Sequence, residues 1–150
     1  MKQLNDLIQE PAKRQPVIND CVQLIRDEVK AKKGFTGIAV KGAFKLVVAL
    51  KPSILEESVD SLLDDFVSKL QPFYEGFQQS GESGTLSAYM GGRSSDVAES
   101  LLSITDARAQ RASNKTLVKA YNGLRPKGKV HVEAAAPGIG RVLDKHIGSL

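Results

Sequence analysis

The sequence predicts an all-α protein, a single compact multi-helix domain of five to seven helices over residues 1–150. Apolar residues recur at helical spacing along most of the chain, and prolines and glycines fall between the periodic stretches. One short run, Leu46 to Leu50, could alternatively be a buried strand. A length of 150 residues is enough to bury one core without disulfides or a structural metal. With 41% hydrophobic and 25% charged residues the composition is that of a folded chain rather than a disordered one.

Val17, Ile18, Cys21, Val22, Ile25 and Val29 define a first helix over residues 17–29, with Pro11 and Pro16 in its approach, where proline is tolerated. Cys21 falls on that apolar stripe and reads as a core side chain, since nothing near it in sequence would lower its pKa. From Phe35 to Leu50 the pattern is apolar almost all round, which predicts a core helix packed on several sides, with Gly34, Gly37 and Gly42 admitting close neighbours. The stretch is shorter than the roughly 20 residues of a membrane span and carries Lys41 and Lys45 inside it. Pro52 ends it. Ser53, three residues before Glu56, is a capping-box signature for the next helix, whose stripe is Leu55, Val59, Leu62, Leu63, Phe66 and Leu70.

Pro72 starts or kinks a further turn that carries Phe73 and Phe77 toward the same core, and the polar, glycine-rich residues 78–85 read as the longest loop. A helix opens at Ser94, Ser95 or Asp96 with Val97, Leu101, Leu102 and Ile104 as its buried face. Ser113-Asn114 breaks it and caps a short helix from Lys115 to Tyr121, which Gly123 closes. A last helical stretch runs from about Gly128, interrupted at Pro137-Gly138.

Charge is segregated along the chain. Residues 29–51 hold six basic and no acidic side chains, 52–106 two basic and ten acidic, and 107–150 nine basic and two acidic. If the helices on either side of Pro52 fold back on each other, Lys45 meets Asp60 and Lys41 meets Asp64. The expected role of Glu56, Glu57, Asp60 and Asp64 is then charge pairing along a helical hairpin rather than binding of a hard cation.

Catalytic signatures are missing from the sequence. One cysteine excludes an internal disulfide and a multi-cysteine zinc site, His131 and His146 stand fifteen residues apart without ligand spacing, and no nucleophile elbow, zinc-protease motif or Walker loop occurs. The expectation is a protein that is not an enzyme, with no catalytic residue, metal ligand or cofactor. Gly91-Gly92-Arg93-Ser94-Ser95-Asp96 has the parts of an anion cradle at a helix start and reads more simply as a loop and a cap. Arg108, Arg111, Lys115 and Lys119 form one basic stripe if a helix continues through Ser113-Asn114, and they are candidate anion or nucleic-acid contacts. With no Trp in the chain and only Tyr121 in this region, stacking on single strands is poorly supported.

Pro137-Gly138-Ile139-Gly140 resembles the hairpin of helix-hairpin-helix DNA-binding motifs. The resemblance implies that Gly138 and Gly140 offer amides to a phosphate, with Arg141 and Lys145 beside them; Asp144 departs from it, standing where the second helix packs a small residue. A longer set is Pro72-Phe73-Tyr74, Val97 to Leu102, Thr105-Asp106-Ala107-Arg108-Ala109, Tyr121, Leu124-Arg125, His131-Val132-Glu133 and Leu143-Asp144-Lys145-His146. On these residues the chain resembles an uncharacterised bacterial family of small helical proteins. That resemblance implies a helical fold and brings no activity, ligand or site with it.

The reading is a protein that acts by recognising a protein partner or by homo-oligomerisation, with no membrane embedding. Nucleic-acid binding through the basic C-terminal third is the alternative, and carriage of an apolar ligand among Phe35, Phe44, Phe66, Phe73 and Phe77 is a third. The start, Met1 to Asp6, has no apolar core of a secretory signal, and the single cysteine suits a reducing compartment, so the expected location is cytoplasmic.

Overall fold

A computed structural model describes residues 3–81 and 83–148, apart from the side chains of Phe35, Thr36 and Leu117. Among the described residues a 3₁₀ turn at Leu4–Leu7 precedes six α-helices and there is no strand. The helices are α1 (Pro11–Ala31), α2 (Gly34–Leu50), α3 (Ile54–Ser80), α4 (Leu86–Gly91), α5 (Ser94–Arg111) and α6 (Lys115–Ile147). The ambiguous run 46–50 is therefore helical.

One core joins the 3₁₀ turn, α1, α3, α4, α5 and α6. It is built from Leu4, Leu7 and Ile8, the α1 stripe Val17, Ile18 and Val22, and Leu63, Val67, Leu70 and Tyr74 of α3. Leu86 and Met90 of α4, Val97 and Leu101 of α5, and Ala136 and Leu143 of α6 complete it. Each fully buried Leu, Val or Met removes about 1.5–3 kcal/mol of apolar surface from water, so these positions hold the fold together. The α5 face is the one its periodicity predicts. On α3 the buried centre is rotated, and Leu55, Val59 and Phe66 are half-buried around it.

α1 begins at Pro11, six residues before the apolar stripe, and runs through Pro16. Pro11 sits at the first position, where its missing N–H costs nothing. Pro16 removes a single bond, to the carbonyl of Ala12, and Val17 and Ile18 bury at that point. Pro72 likewise lies inside a continuous α3, which ends only where Gly81 turns left-handed at φ +66°. Residues 78–80, expected in the loop, are therefore helical. The capping box at Ser53 does not form: its hydroxyl donates to Glu57 at 3.3 Å.

α4 is too short to show a period in sequence. Thr85 Oγ1 accepts from Ala88 N at 3.1 Å, and Asp144 of α6 accepts from Leu86 N and Ser87 N, both at 3.0 Å. A carboxylate fifty-seven residues away thus satisfies the open amides at this helix start.

α6 corrects the sequence expectation most. It is one helix of 33 residues through Gly123, Pro126, Gly128 and Pro137, with neither the break after Tyr121 nor the interruption at Pro137-Gly138. Pro137 to Gly140 is accordingly not the hairpin of a helix-hairpin-helix motif. Gly138 and Gly140 are buried because α1 and α4 press against α6 there: a methyl on Gly140 would collide with the Ser87 backbone, and one on Gly138 with the end of Leu24.

α2 also departs from expectation. It packs on α1 and lightly on α3, with Arg26 5.9 Å from the ring centre of Phe44, and it is not a core helix. Ile38, Leu46 and Leu50 are 71%, 62% and 79% exposed. The hairpin pairing across Pro52 is absent as well. Asp60 and Asp64 are held by Arg14 of α1, Nε to Asp60 Oδ1 at 2.8 Å and Nη2 to Asp64 Oδ2 at 3.0 Å. Among the described residues Lys41 and Lys45 have no ion-pair partner. At the turn itself Lys51 pairs with Glu57 at 2.7 Å.

Candidate functional site

α5 and α6 pack side by side, and a line of polar side chains seals one part of their seam. Arg125 Nε and Nη2 donate to the two oxygens of Asp106 at 2.8 and 2.9 Å, and Nη2 also donates to Glu99 at 3.0 Å. Lys129 reaches Glu99 at 2.9 Å and Glu133 at 3.9 Å. The Tyr121 hydroxyl donates to Asp106 and lies 2.8 Å from Thr105 Oγ1. Hydrogen bonds from Arg125 and then Lys129 pull Glu99 down to about 2, and Arg125 and then Tyr121 hold Asp106 below the usual carboxylate range. Burial, and then Asp106, push the Tyr121 phenol up. The seam is a clamp in which two cations bridge three carboxylates.

Beyond Tyr121 the same two helices part from α3 and leave a groove of about 330 Å³. Leu62 of α3, Ala109 and Ala112 at the end of α5, and Val118 and Tyr121 of α6 make its apolar wall, with Arg108 beside them. Arg108 donates to Ser61 at 3.2 and 3.4 Å and stands 3.9 Å from Asp65.

The predicted basic stripe is split. α5 ends at Arg111 and α6 starts at Lys115, with Asn114 Oδ1 accepting from Thr116 N at 2.9 Å, so Arg108 and Arg111 lie on one helix and Lys115 and Lys119 on another. Of the four, only Arg108 lines the groove. Arg111, Lys115 and Lys119 are exposed and have no ion-pair partner among the described residues. Arg141 is exposed and Lys145 pairs with Asp20 at 3.0 Å, both away from that groove, while Gly138 and Gly140 are packing positions.

The remaining candidates resolve as packing or pairing. Burial, followed by the charge of Asp20, pushes the Cys21 thiol up to about 11. Arg93 lies 3.6 Å over the Tyr89 ring and donates to the Tyr89 carbonyl at 3.1 Å, so it is not turned to an anion at the start of α5. His146 Nε2 and Lys145 meet one Asp20 oxygen at 2.7 and 3.0 Å. Burial raises Asp20, but those two partners outweigh it and hold the carboxyl low. His131 is lowered by burial and by Lys32. Phe66, Phe73 and Phe77 pack half-buried on the core, and the Phe35 side chain lies outside the described residues. Among the described residues no group of three or more metal-binding side chains converges.

The second candidate surface is the outer side of α2. Ile38, Ala39, Gly42, Ala43, Leu46 and Leu50 follow one another at helical spacing, all exposed, while Lys41 and Lys45 share the helix edge one turn apart. No helix among the described residues is long and apolar enough to cross a membrane.

Sequence reading could not find the Arg14 and Asp20 pairings or the Asp144 cap, because their partners lie far away in the chain. Of the residues that carried the family resemblance, Glu99, Thr105, Asp106, Tyr121, Arg125 and Glu133 meet in the α5–α6 clamp. No curated protein and no solved structure matches the chain. A family of unknown function, DUF6918, matches residues 4–147, and the chain therefore belongs to that family.

Proposed function

We propose that this is a non-enzymatic protein that works by surface recognition, and that it pairs with a second copy of itself through the outer face of α2. The observation that carries the reading is the exposure of Ile38, Leu46 and Leu50 on one helix face, where a contiguous apolar patch is unfavourable in water until something covers it. Ala39, Gly42 and Ala43 run through the middle of the patch, and Gly42 has no atom within 4 Å of the position a Cβ would take, so a second backbone has room to approach.

Charge complementarity favours a second copy. Lys30 in the last turn of α1 and Lys33 just before α2 stand ahead of its N-terminal end, and Glu56 in the first turn of α3 stands past its C-terminal end; none of the three has an ion-pair partner among the described residues. An antiparallel pairing about a two-fold axis near Gly42 sets each basic end on the other copy's acidic end.

Light scattering on the eluting protein tests this. The expected mass is twice the 16.2 kDa of one chain at micromolar concentration, falling to one chain in Leu46→Glu and Leu50→Glu, whose exposed positions leave the fold intact. Lys33→Glu and Glu56→Lys each weaken the pairing, and together they restore it. A monomer at every concentration, or one that instead sediments with phosphatidylglycerol vesicles, overturns the reading.

A further inference from the structure

We propose that the groove between α3, α5 and α6 binds an aliphatic carboxylate of medium chain length. Its volume of about 330 Å³ is at the small end of ligand sites, which run roughly 300–1,000 Å³. The hollow exists because Ala109 and Ala112 stand where larger side chains would fill it, and Leu62, Val118 and the Tyr121 ring complete an apolar wall.

Arg108, the one cation among the lining residues, differs from the cations on the seam beside it. Arg125 and Lys129 are saturated by Asp106, Glu99 and Glu133. Arg108 is not: its hydrogen bonds to Ser61 are long, its nearest acid oxygen is 3.9 Å away, and it retains donors for an anion. The Tyr121 and Thr105 hydroxyls are already engaged, with Asp106 and with the Leu102 carbonyl, and are not free to select a polar ligand.

An apolar wall with one arginine at its edge matches a chain that ends in one negative charge. A nucleic-acid backbone brings phosphates and no aliphatic part, so it leaves the wall unmatched. An alkylammonium is repelled by Arg108.

The test is titration of the full-length ¹⁵N-labelled protein with sodium decanoate below its micellar concentration, read by amide shifts and by calorimetry. The expected result is saturable one-to-one binding with the largest shifts at Thr105, Ala109, Ala112 and Val118. Decanol binds at least about tenfold more weakly, for want of a charge-assisted hydrogen bond, and decyltrimethylammonium does not bind. Ala109→Leu fills the hollow and abolishes binding, and Arg108→Met weakens it about tenfold. Should Ala109→Leu fail to fold by circular dichroism, Ala112→Leu, at an exposed position, serves instead. The proposal is overturned if the shifts fall on Ala39 to Leu50, if the ammonium binds as well as the carboxylate, or if the filled groove still binds. The groove and α2 share no residue, so the failure of the dimer leaves this proposal standing.

Discussion

Arg125 grips Asp106 at two points, Nε on one oxygen at 2.8 Å and Nη2 on the other at 2.9 Å. The grip sits one residue before Pro126, where α6 loses a backbone hydrogen bond and a proline costs about 3 kcal/mol in an isolated helix. Arg125→Met is therefore expected to lower the urea unfolding midpoint only slightly, because both partners are partly exposed. It should also speed amide exchange between residues 121 and 129. Unchanged exchange there would show that the clamp does not hold α6 together at Pro126.

Acid should loosen the protein through the same clamp. Glu99 is held at about 2 against an ordinary value of 4.5, by Arg125 and then Lys129, and Asp106 is lowered by Arg125 and then Tyr121. In that window the unfolded chain binds protons that the folded chain refuses, so stability is full above about 4.5 and is lost as pH falls toward 2. Asp20 and Glu57, both lowered, add the same sign. Melting temperatures measured downward from neutral pH should fall through this range, and Arg125→Met should flatten the slope. Parallel curves for the two proteins would place the acid sensitivity elsewhere.

The glycines of α6 should respond with opposite signs. Gly123 and Gly128 have open space where a Cβ would go, so Gly128→Ala is expected to stabilise by about 0.5–1 kcal/mol. Gly140→Ala forces α4 away from α6 and is expected to destabilise by roughly 1–3 kcal/mol. Two denaturation curves decide it, and stabilisation by Gly140→Ala would contradict the close packing described.

Arg14, rather than either lysine of α2, should matter to the acidic face of α3. Arg14→Ala is expected to cost about 1 kcal/mol, since the two carboxylates it holds are largely exposed. Lys41→Ala and Lys45→Ala should stay within about 0.5 kcal/mol of the parent. A larger loss at Lys45 would revive the hairpin pairing across Pro52.

Cys21 should be a slow thiol. With its pKa pushed up to about 11 by burial and then by Asp20, little thiolate is present at neutral pH. Reaction with a disulfide reagent is expected to track unfolding in a urea series; fast labelling of the native protein would show that α1 opens at this point.

Much of the fold was legible in local pattern. The α5 stripe Val97, Leu101, Leu102 and Ile104, the break and cap at Ser113-Asn114, and the all-α class itself follow from side-chain spacing, because a helix repeats every few residues and its pattern lies within one stretch of chain. Whether a given pattern lands in the core depends on what lies opposite, and that is a non-local fact. The run from Phe35 to Leu50 has the composition of a buried helix, yet α2 packs mainly on α1 and leaves Leu46 and Leu50 in solvent. Gly123 and Pro126 have the local energetics of a helix end, and α6 continues through them because Asp106 and Glu99, on another helix, hold Arg125 and Lys129 on both sides of the proline. Gly138 and Gly140 were readable as a hairpin only until α4 was placed against them. Local propensities of about 1 kcal/mol per residue are outweighed where several tertiary contacts act together, and those contacts join residues whose separation along the chain carries no sign of their meeting.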